Sequence, residues 1–291
     1  MRIVELSDHP RAMLDNEHER QRKAEEQAAP KYAAELARHQ ARLREARVRR
    51  DDARAQHRWL AWLRAVFAVG SERARAPRRP VVAGGPTDRE EILTAGMAGE
   101  RRVVSDLGRA LDHAWVLFRG YRNRGGEIDH LLVGPGGVFA IEGKHRNATV
   151  HVNGDRWTYD KYDRYGNLVE HGEITDRGGR SPSRQVNQAA DELAKFLRSR
   201  GQDVEIQRIV VLTHERSALG THRNLTVSVT NSTGRVLALV RESPTALAAG
   251  RTAEIERLVQ QDHQFHEAAS GVAGGRTRGK RTAQAGRTRP R

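Results

Sequence analysis

Residues 125–145 read GGEIDHLLVGPGGVFAIEGKH, and the fold follows from how this stretch pairs with itself. Two apolar runs, 127–133 and 138–144, are joined by Gly134-Pro135-Gly136-Gly137. β-branched and aromatic residues bounded by Gly and Pro predict a strand, a turn and a second strand. A four-residue loop sets Val133 against Val138, and counting outward sets Asp129 against Glu142 and Glu127 against Lys144. Side chains two apart share a face, so these four are expected on one side of one sheet. Opposed Cβ atoms lie roughly 4.5–5.5 Å apart. Two carboxylates that close repel, and one takes up a proton unless a cation lies between them. A neighbouring lysine can offset the repulsion, and oxygen ligands at this spacing also suit Mg²⁺. The plainer alternative is a solvated hairpin end with Glu127 and Lys144 as a cross-strand ion pair. Further along, Leu131, Val133, Val138 and Ala140 fill the charged face, and Ile128, Leu132, Phe139 and Ile141 the other. Strands apolar on both faces are covered on both sides, as in α/β proteins. That places the charged group at the mouth of a packed sheet.

The chain of 291 residues suffices for one sizeable core and a second element. With 37% hydrophobic and 30% charged residues, part of it is expected to stay outside a core. The absence of cysteine excludes disulfides and thiolate zinc sites and fits a reducing cytoplasm. The opening MRIVELSDHP lacks the apolar segment of a signal peptide, and no apolar run reaches the ~20 residues of a membrane span. A cytoplasmic location is expected. The net charge of +14 sits at the ends: +7 over 1–80, zero over 81–270, and +7 over 271–291. Attraction to a polyanion is therefore expected from the termini.

Residues 10–58 are charged, Ala-rich and helix-favouring, with Pro30 expected to end one helix and open the next. Tyr32, Leu36 and Leu43 hold a heptad register that Arg50 and His57 break, so any coiled coil is short. Trp59, Trp62, Leu63, Val66 and Phe67 form an apolar stripe at helical spacing. It can dock on the main domain, pair with a second copy, or lie on a membrane surface, the first two being the commoner fates. The divisions expected are a charged helical arm (1–70), a Gly/Pro/Arg-rich linker (71–88), a main domain (89–268) and a disordered basic tail (269–291).

Within the main domain a helix is expected over 89–110, with Glu100 on its buried-facing stripe. A short strand at 115–118 and a loop, RGYRNRGG, lead into the hairpin. Asn153-Gly154 predicts a second hairpin, and 160–183 a polar loop with one further hairpin at Gly166-Asn167. Ser181 or Ser183 caps a helix to about Arg200, with Gln185 at its start. Strands are expected at 206–212, 225–229 and 236–240, and a last helix over 244–266.

Three separated motifs, GMAGE (96–100), GGEIDHLLVGPGGVFAIEGK (125–144) and RQVNQAADEL (184–193), resemble the nuclease-related domain, NERD, which is similar to the PD-(D/E)XK nucleases. The resemblance covers roughly 90–240 and implies an α/β, restriction-endonuclease-like fold: a central mixed sheet flanked by helices. It implies that Glu100, Asp129, Glu142, Lys144 and Gln185 are the catalytic residues. Asp129 and Glu142 would hold Mg²⁺ (or Mn²⁺) with the Gly143 carbonyl, and Glu100 would complete the site or bind a second ion. Lys144 would orient or help deprotonate the attacking water, and Gln185 would hold Lys144 or the water. Glycine between Glu142 and Lys144, His145 after them, and the long stretch 153–183 depart from the family pattern.

The expected activity is therefore Mg²⁺-dependent hydrolysis of nucleic acid, DNA foremost, with Arg276, Arg278, Lys280, Arg281, Arg287, Arg289 and Arg291 of the tail gathering the polyanion. The alternative is a catalytically inactive nucleic-acid-binding or adaptor protein on the same fold, and the helical arm is a candidate for self-association. His130 reads as a packed histidine, and His145 and His151 as possible phosphate contacts. No Walker loop, His-Glu-x-x-His or nucleophile elbow is present.

Overall fold

The structure, a computed structural model, describes residues 1–78 and 87–283, without the side chains of 9, 10, 88 and 270–283. The chain divides into two compact units, Ala12–Glu91, and Met1–Arg11 with Ile92–Arg291.

The first strand, β1 (Arg2–Glu5), belongs to the second unit, so the opening residues are sheet where a helical arm from residue 1 was expected. The helical unit holds most of α1 (His9–Ala55), and α2 (Trp59–Ala74). Pro30 does not break α1 as expected. Its fixed φ is helical already, and an exposed helix can absorb one lost hydrogen bond with a bend. The less exposed line along α1 is Tyr32, Leu36, His39, Leu43, Ala46, Arg50 and Ala53, spaced by four and three. The chain reverses at His57, whose φ is 55°, and α2 runs back so that Arg42 Nε meets Glu72 Oε2 at 3.3 Å. Of the expected linker, Ser71–Ala74 is the end of α2, and 79–86 lie outside the described residues. Thr87 and Glu90 then cap α3 (Asp88–Ala110) reciprocally: Thr87 N–H donates to Glu90 Oε2 (2.8 Å), and Glu90 N–H to Thr87 Oγ1 (3.2 Å).

The sheet unit is α/β. After α3 come β2 (Val116–Asn123), β3 (Gly126–Gly134) and β4 (Gly137–Lys144). Next are β5 (Thr149–Asn153), β6 (Arg156–Tyr162), β7 (Leu168–Glu173), α4 (Pro182–Ser199) and β8 (Ile206–Leu212). The chain continues through β9 (Ala218–Arg223), β10 (Ser228–Thr230), α5 (Thr233–Arg241) and α6 (Ala249–Ala283). The central mixed sheet has the order β1-β2-β3-β4-β8-β10, with β2-β3-β4 antiparallel and the other pairings parallel. A second sheet, β7-β6-β5-β9, is built from both expected hairpins, at Asn153-Gly154 and Gly166-Asn167.

Each face of the central sheet has its own apolar layer. On one, Phe118, Leu131, Val133, Val138 and Ala140 pack with Val186, Leu193 and Leu197 of α4 and Ile255 and Leu258 of α6. On the other, Leu117, Leu132, Phe139 and Ile141 pack with Val103 and Leu107 of α3 and Val236 and Val240 of α5. The segment 236–240 is thus helix where a strand was expected. Val236, Leu237, Leu239 and Val240 repeat at one, three and four, which suits a helix covering that face as well as a buried strand. Most of the loop expected after Phe118 is also strand. The last helix continues to Ala283, and residues 284–291, with Arg287, Arg289 and Arg291, lie outside the described residues. The described residues include no helix long and apolar enough to cross a membrane.

Candidate active site

The hairpin register is the expected one at its closed end, with Val133 opposite Val138 and pairing continuing to His130 opposite Ile141. There the ladder stops. Asp129 Oδ2 takes the next donor itself, accepting the Gly143 N–H at 2.8 Å. A second irregularity coincides on the other side of β3. Pairing with β2 runs through Arg119 and His130, omits Gly120 and Asp129, and resumes at Tyr121 and Ile128. Gly120 has a φ of 65°, a conformation glycine adopts without steric cost. As a result Ile128 and Leu131, three residues apart, join the same core layer. The strict period of two, which put Glu127 with Asp129, Glu142 and Lys144, fails at this point. Glu127 sits opposite Arg122 and is ion-paired to it at 3.1 Å, not to Lys144.

The other residues do converge. β4 stays extended beyond the hairpin because β8 pairs with it as far as Lys144 opposite Leu212. Lys144 Nζ donates to Glu142 Oε1 at 2.6 Å and to Gln185 Oε1 at 3.1 Å. The Gln185 amide is fixed in turn by donating to the Arg180 carbonyl at 2.9 Å. Gln185 stands in the first turn of α4, which Ser181 caps by accepting the Arg184 N–H. Trp157 Nε1 donates to Ser183 Oγ and ties the second sheet to the same turn. Glu100 reaches the site from α3, and Arg119 Nη2 lies 3.6 Å from its Oε2.

Burial sets the charge balance. The Glu142 side chain is 5% exposed and that of Lys144 25%. Burial, then the charge of Asp129, push the Glu142 carboxyl up to about 7 despite Lys144. Burial and Asp129 likewise raise Glu100 to about 7 against the pull of Arg119. Burial works against the Lys144 ammonium, but Glu142 and Asp129 outweigh it and hold its pKa above the ordinary value. Asp129 is thus the common neighbour of both raised acids and of the lysine. Among the described residues no three His, Asp or Glu side chains draw together as a metal site. The donors at hand are two carboxylates and a backbone carbonyl. These are hard oxygens, and such a set suits a hard divalent cation.

Residues 129–144, with α4 behind them, thus place two acids, a lysine and a glutamine around the end of β4, and Glu100 of α3 lies within electrostatic reach of Asp129. Residues 95–213 match the nuclease-related domain, NERD. No curated protein and no solved structure matches the chain. The NERD match begins inside α3 and ends just after β8. It takes in Glu100, Asp129, Glu142, Lys144 and Gln185, and leaves out the helical unit, β9, β10, α5 and α6.

At Gly99 α3 packs tightly against Thr213 and His145. A Cβ there would lie 2.3 Å from Thr213 Oγ1 and 2.9 Å from His145 Nδ1, so only glycine lets the helix approach. Gly143, by contrast, has room for a Cβ, with Asp129 Oδ2 at 3.6 Å and Thr213 Cγ2 at 3.7 Å. His145 is bonded to Thr213 Oγ1 (3.1 Å), and burial, then His214 and Arg102, pull its pKa down. A cavity of about 200 Å³ opens beside Lys144 and Gln185, lined also by His145, Arg146 and Asp176. A larger cavity of about 440 Å³ between α4 and α6 contains none of these acids. His151 lies in the second sheet, paired with Asp160 at 3.3 Å. His130 is fully buried, and burial pulls its pKa down to about 4. Neither of its ring nitrogens has a hydrogen-bond partner among the described residues. The basic residues 276–281 fall in the part of α6 whose side chains are not described.

Sequence reasoning missed Arg119, Arg180 and Thr213. Arg119 was assigned to a loop. Arg180 had a legible signal in Asp176-Arg177-Gly178-Gly179: Asp176 Oδ1 accepts the N–H groups of Gly178 and Arg180, and Oδ2 holds the Arg180 guanidinium at 2.8 Å. That Asp-x-Gly turn aims the Arg180 carbonyl at Gln185.

Proposed function

We propose that the chain hydrolyses phosphodiester bonds in nucleic acid, DNA foremost, with a divalent cation as cofactor. The observation that carries this reading is the Lys144 ammonium, fastened between Gln185 and Glu142, an acid that burial and Asp129 raise to about 7. Asp129, Glu142 and the Gly143 carbonyl would hold Mg²⁺ or Mn²⁺, with Glu100 adjacent, and the bound ion would supply Lewis-acid stabilisation of the phosphate. Lys144 remains protonated near neutral pH. Its role is therefore to offer a hydrogen bond and positive charge to the phosphate or the incoming water, rather than to take the water's proton. Gln185 holds Lys144 on the cavity side through its own bond to Arg180. Burial keeps this charge pattern in a low-dielectric setting, where fixed charges count for more than in water.

The test is cleavage of plasmid DNA and of labelled DNA and RNA oligonucleotides with Mg²⁺, Mn²⁺ or chelator. Divalent-dependent cutting that disappears in Asp129→Ala and Lys144→Ala supports the proposal. Cutting by both variants at the parent's rate overturns it. Binding without cutting under any cation favours the adaptor reading.

A further inference from the structure

Helix α2 carries its apolar face outward. Its less exposed line, Ala61, Trp62, Ala65, Val69 and Glu72, is mostly small or polar. Trp59, Leu60 and Phe67 are 68%, 77% and 77% exposed, and Leu63 and Val66 are exposed with them. At roughly 100° per residue these five fill an arc of about 120°. Trp62 closes one edge, its ring edge-on to Trp59 at 5.8 Å. Arg64 and Arg73 flank the arc. Residues 38–78 contain twelve arginines and four acids. Three of the acids are engaged elsewhere: Glu72 with Arg42 and Arg75, Glu45 with Arg49, and Asp51 with Arg50.

A contiguous exposed apolar face marks an interaction surface, and its surroundings discriminate among partners. A second copy of the chain would cover the hydrocarbon but bring two arginine-rich surfaces together, which like-charge repulsion opposes. A nucleic acid would match the charge and stack on Trp59 or Phe67, but Leu60, Leu63 and Val66 offer nothing to a base or a phosphate. An anionic lipid surface satisfies both features: acyl chains for the leucines, the headgroup boundary for the tryptophans, and phosphates for the arginines. We infer that α2 lies flat in the headgroup layer of a membrane containing anionic phospholipid, with Trp59, Leu60, Leu63, Val66 and Phe67 immersed and Arg64 and Arg73 at the lipid phosphates. Its 16 residues make a helix of about 24 Å, and no described helix is long and apolar enough to span a bilayer. The attachment is therefore lateral.

The experiment mixes the full chain with phosphatidylcholine vesicles, with and without phosphatidylglycerol, and follows sedimentation and tryptophan emission. The expected results are binding to the anionic vesicles, a blue shift from Trp59 and Trp62, and about a tenfold or greater loss of binding in Leu63→Glu/Phe67→Glu. The basic tail also attracts anionic lipid, so the decisive comparison is between chains that share it. Leu60→Gln/Phe67→Gln repeats the comparison without added charge, and circular dichroism checks that α2 remains helical in each. No binding by the parent, or equal binding by parent and variants, overturns the inference. So does a dimer, seen by light scattering, that the variants dissolve while the parent ignores vesicles.

Discussion

The two units of this chain break the same rule in opposite directions. In the sheet unit, charged groups are turned inward at the end of β4, where Glu142 is almost wholly buried. In the helical unit, Trp59, Leu60 and Phe67 are turned out to solvent. Buried polar groups and exposed apolar patches are the informative exceptions to ordinary packing, and each here has a partner-shaped explanation. The inward charges are held by hydrogen bonds from three directions, so their geometry is pre-set. The outward hydrocarbons stand exposed, so the partner that would cover them must come from outside. Local rules are broken where function is the compensating gain.

The comparison breaks most sharply at Lys144. Lys144→Ala and Asp129→Ala should each reduce DNA cleavage on the order of 10³-fold, as removing a preorganised charge from a transition-state site does. Circular dichroism should stay unchanged. If cleavage persists, the inward charges are structural and the contrast between the units fails. Gln185→Ala should cost about 10–100-fold, the range expected for a group that positions another ligand. The loss should fall on kcat with DNA affinity nearly intact, measured by single-turnover rates against filter binding.

The pH response sharpens the same point. Cation binding needs the deprotonated carboxylates, and Glu142 and Glu100 give up their protons only near 7. Mn²⁺ affinity, read by calorimetry, should therefore be full above that value. It should fall, approaching about tenfold per pH unit for each competing proton, as pH drops below 7. In the cation-free protein the sign reverses. A raised carboxyl means that the native state binds more protons than the unfolded chain between the ordinary carboxylate range and about 7. These two groups therefore lower stability as pH rises through that window. The smallest effect belongs to the other unit: Leu63→Glu/Phe67→Glu should leave the unfolding free energy within about 0.5 kcal/mol, because exposed side chains contribute little to folding. A large drop in Tm would mean that the face is covered within the protein.

Much of the site was legible because it depends on short-range pattern. The Gly-Pro-Gly-Gly turn set Val133 against Val138, and Glu142-Gly143-Lys144 stayed in strand. The N-cap serine and Pro182 placed Gln185 in the first turn of its helix. What stayed hidden depends on backbone that leaves the regular repeat. Gly120 breaks the alternation of β2, so Glu127 could be counted onto the wrong partner and Arg119 dismissed as loop. Val236–Val240 was ambiguous because a run of five apolar residues suits either a buried strand or part of a buried helix. The strand Arg2–Glu5 has only Ile3 and Val4 to announce it, and its pairing partner lies more than a hundred residues further along.

That distant partner has a practical consequence. Because β1 closes the β2 edge of the sheet, trimming the chain from its start to remove the helices would uncover the Val116–Arg119 backbone, an unpaired row inviting edge-to-edge aggregation. Excising the helical segment internally, with Met1–Arg11 kept in the chain, would keep that edge protected.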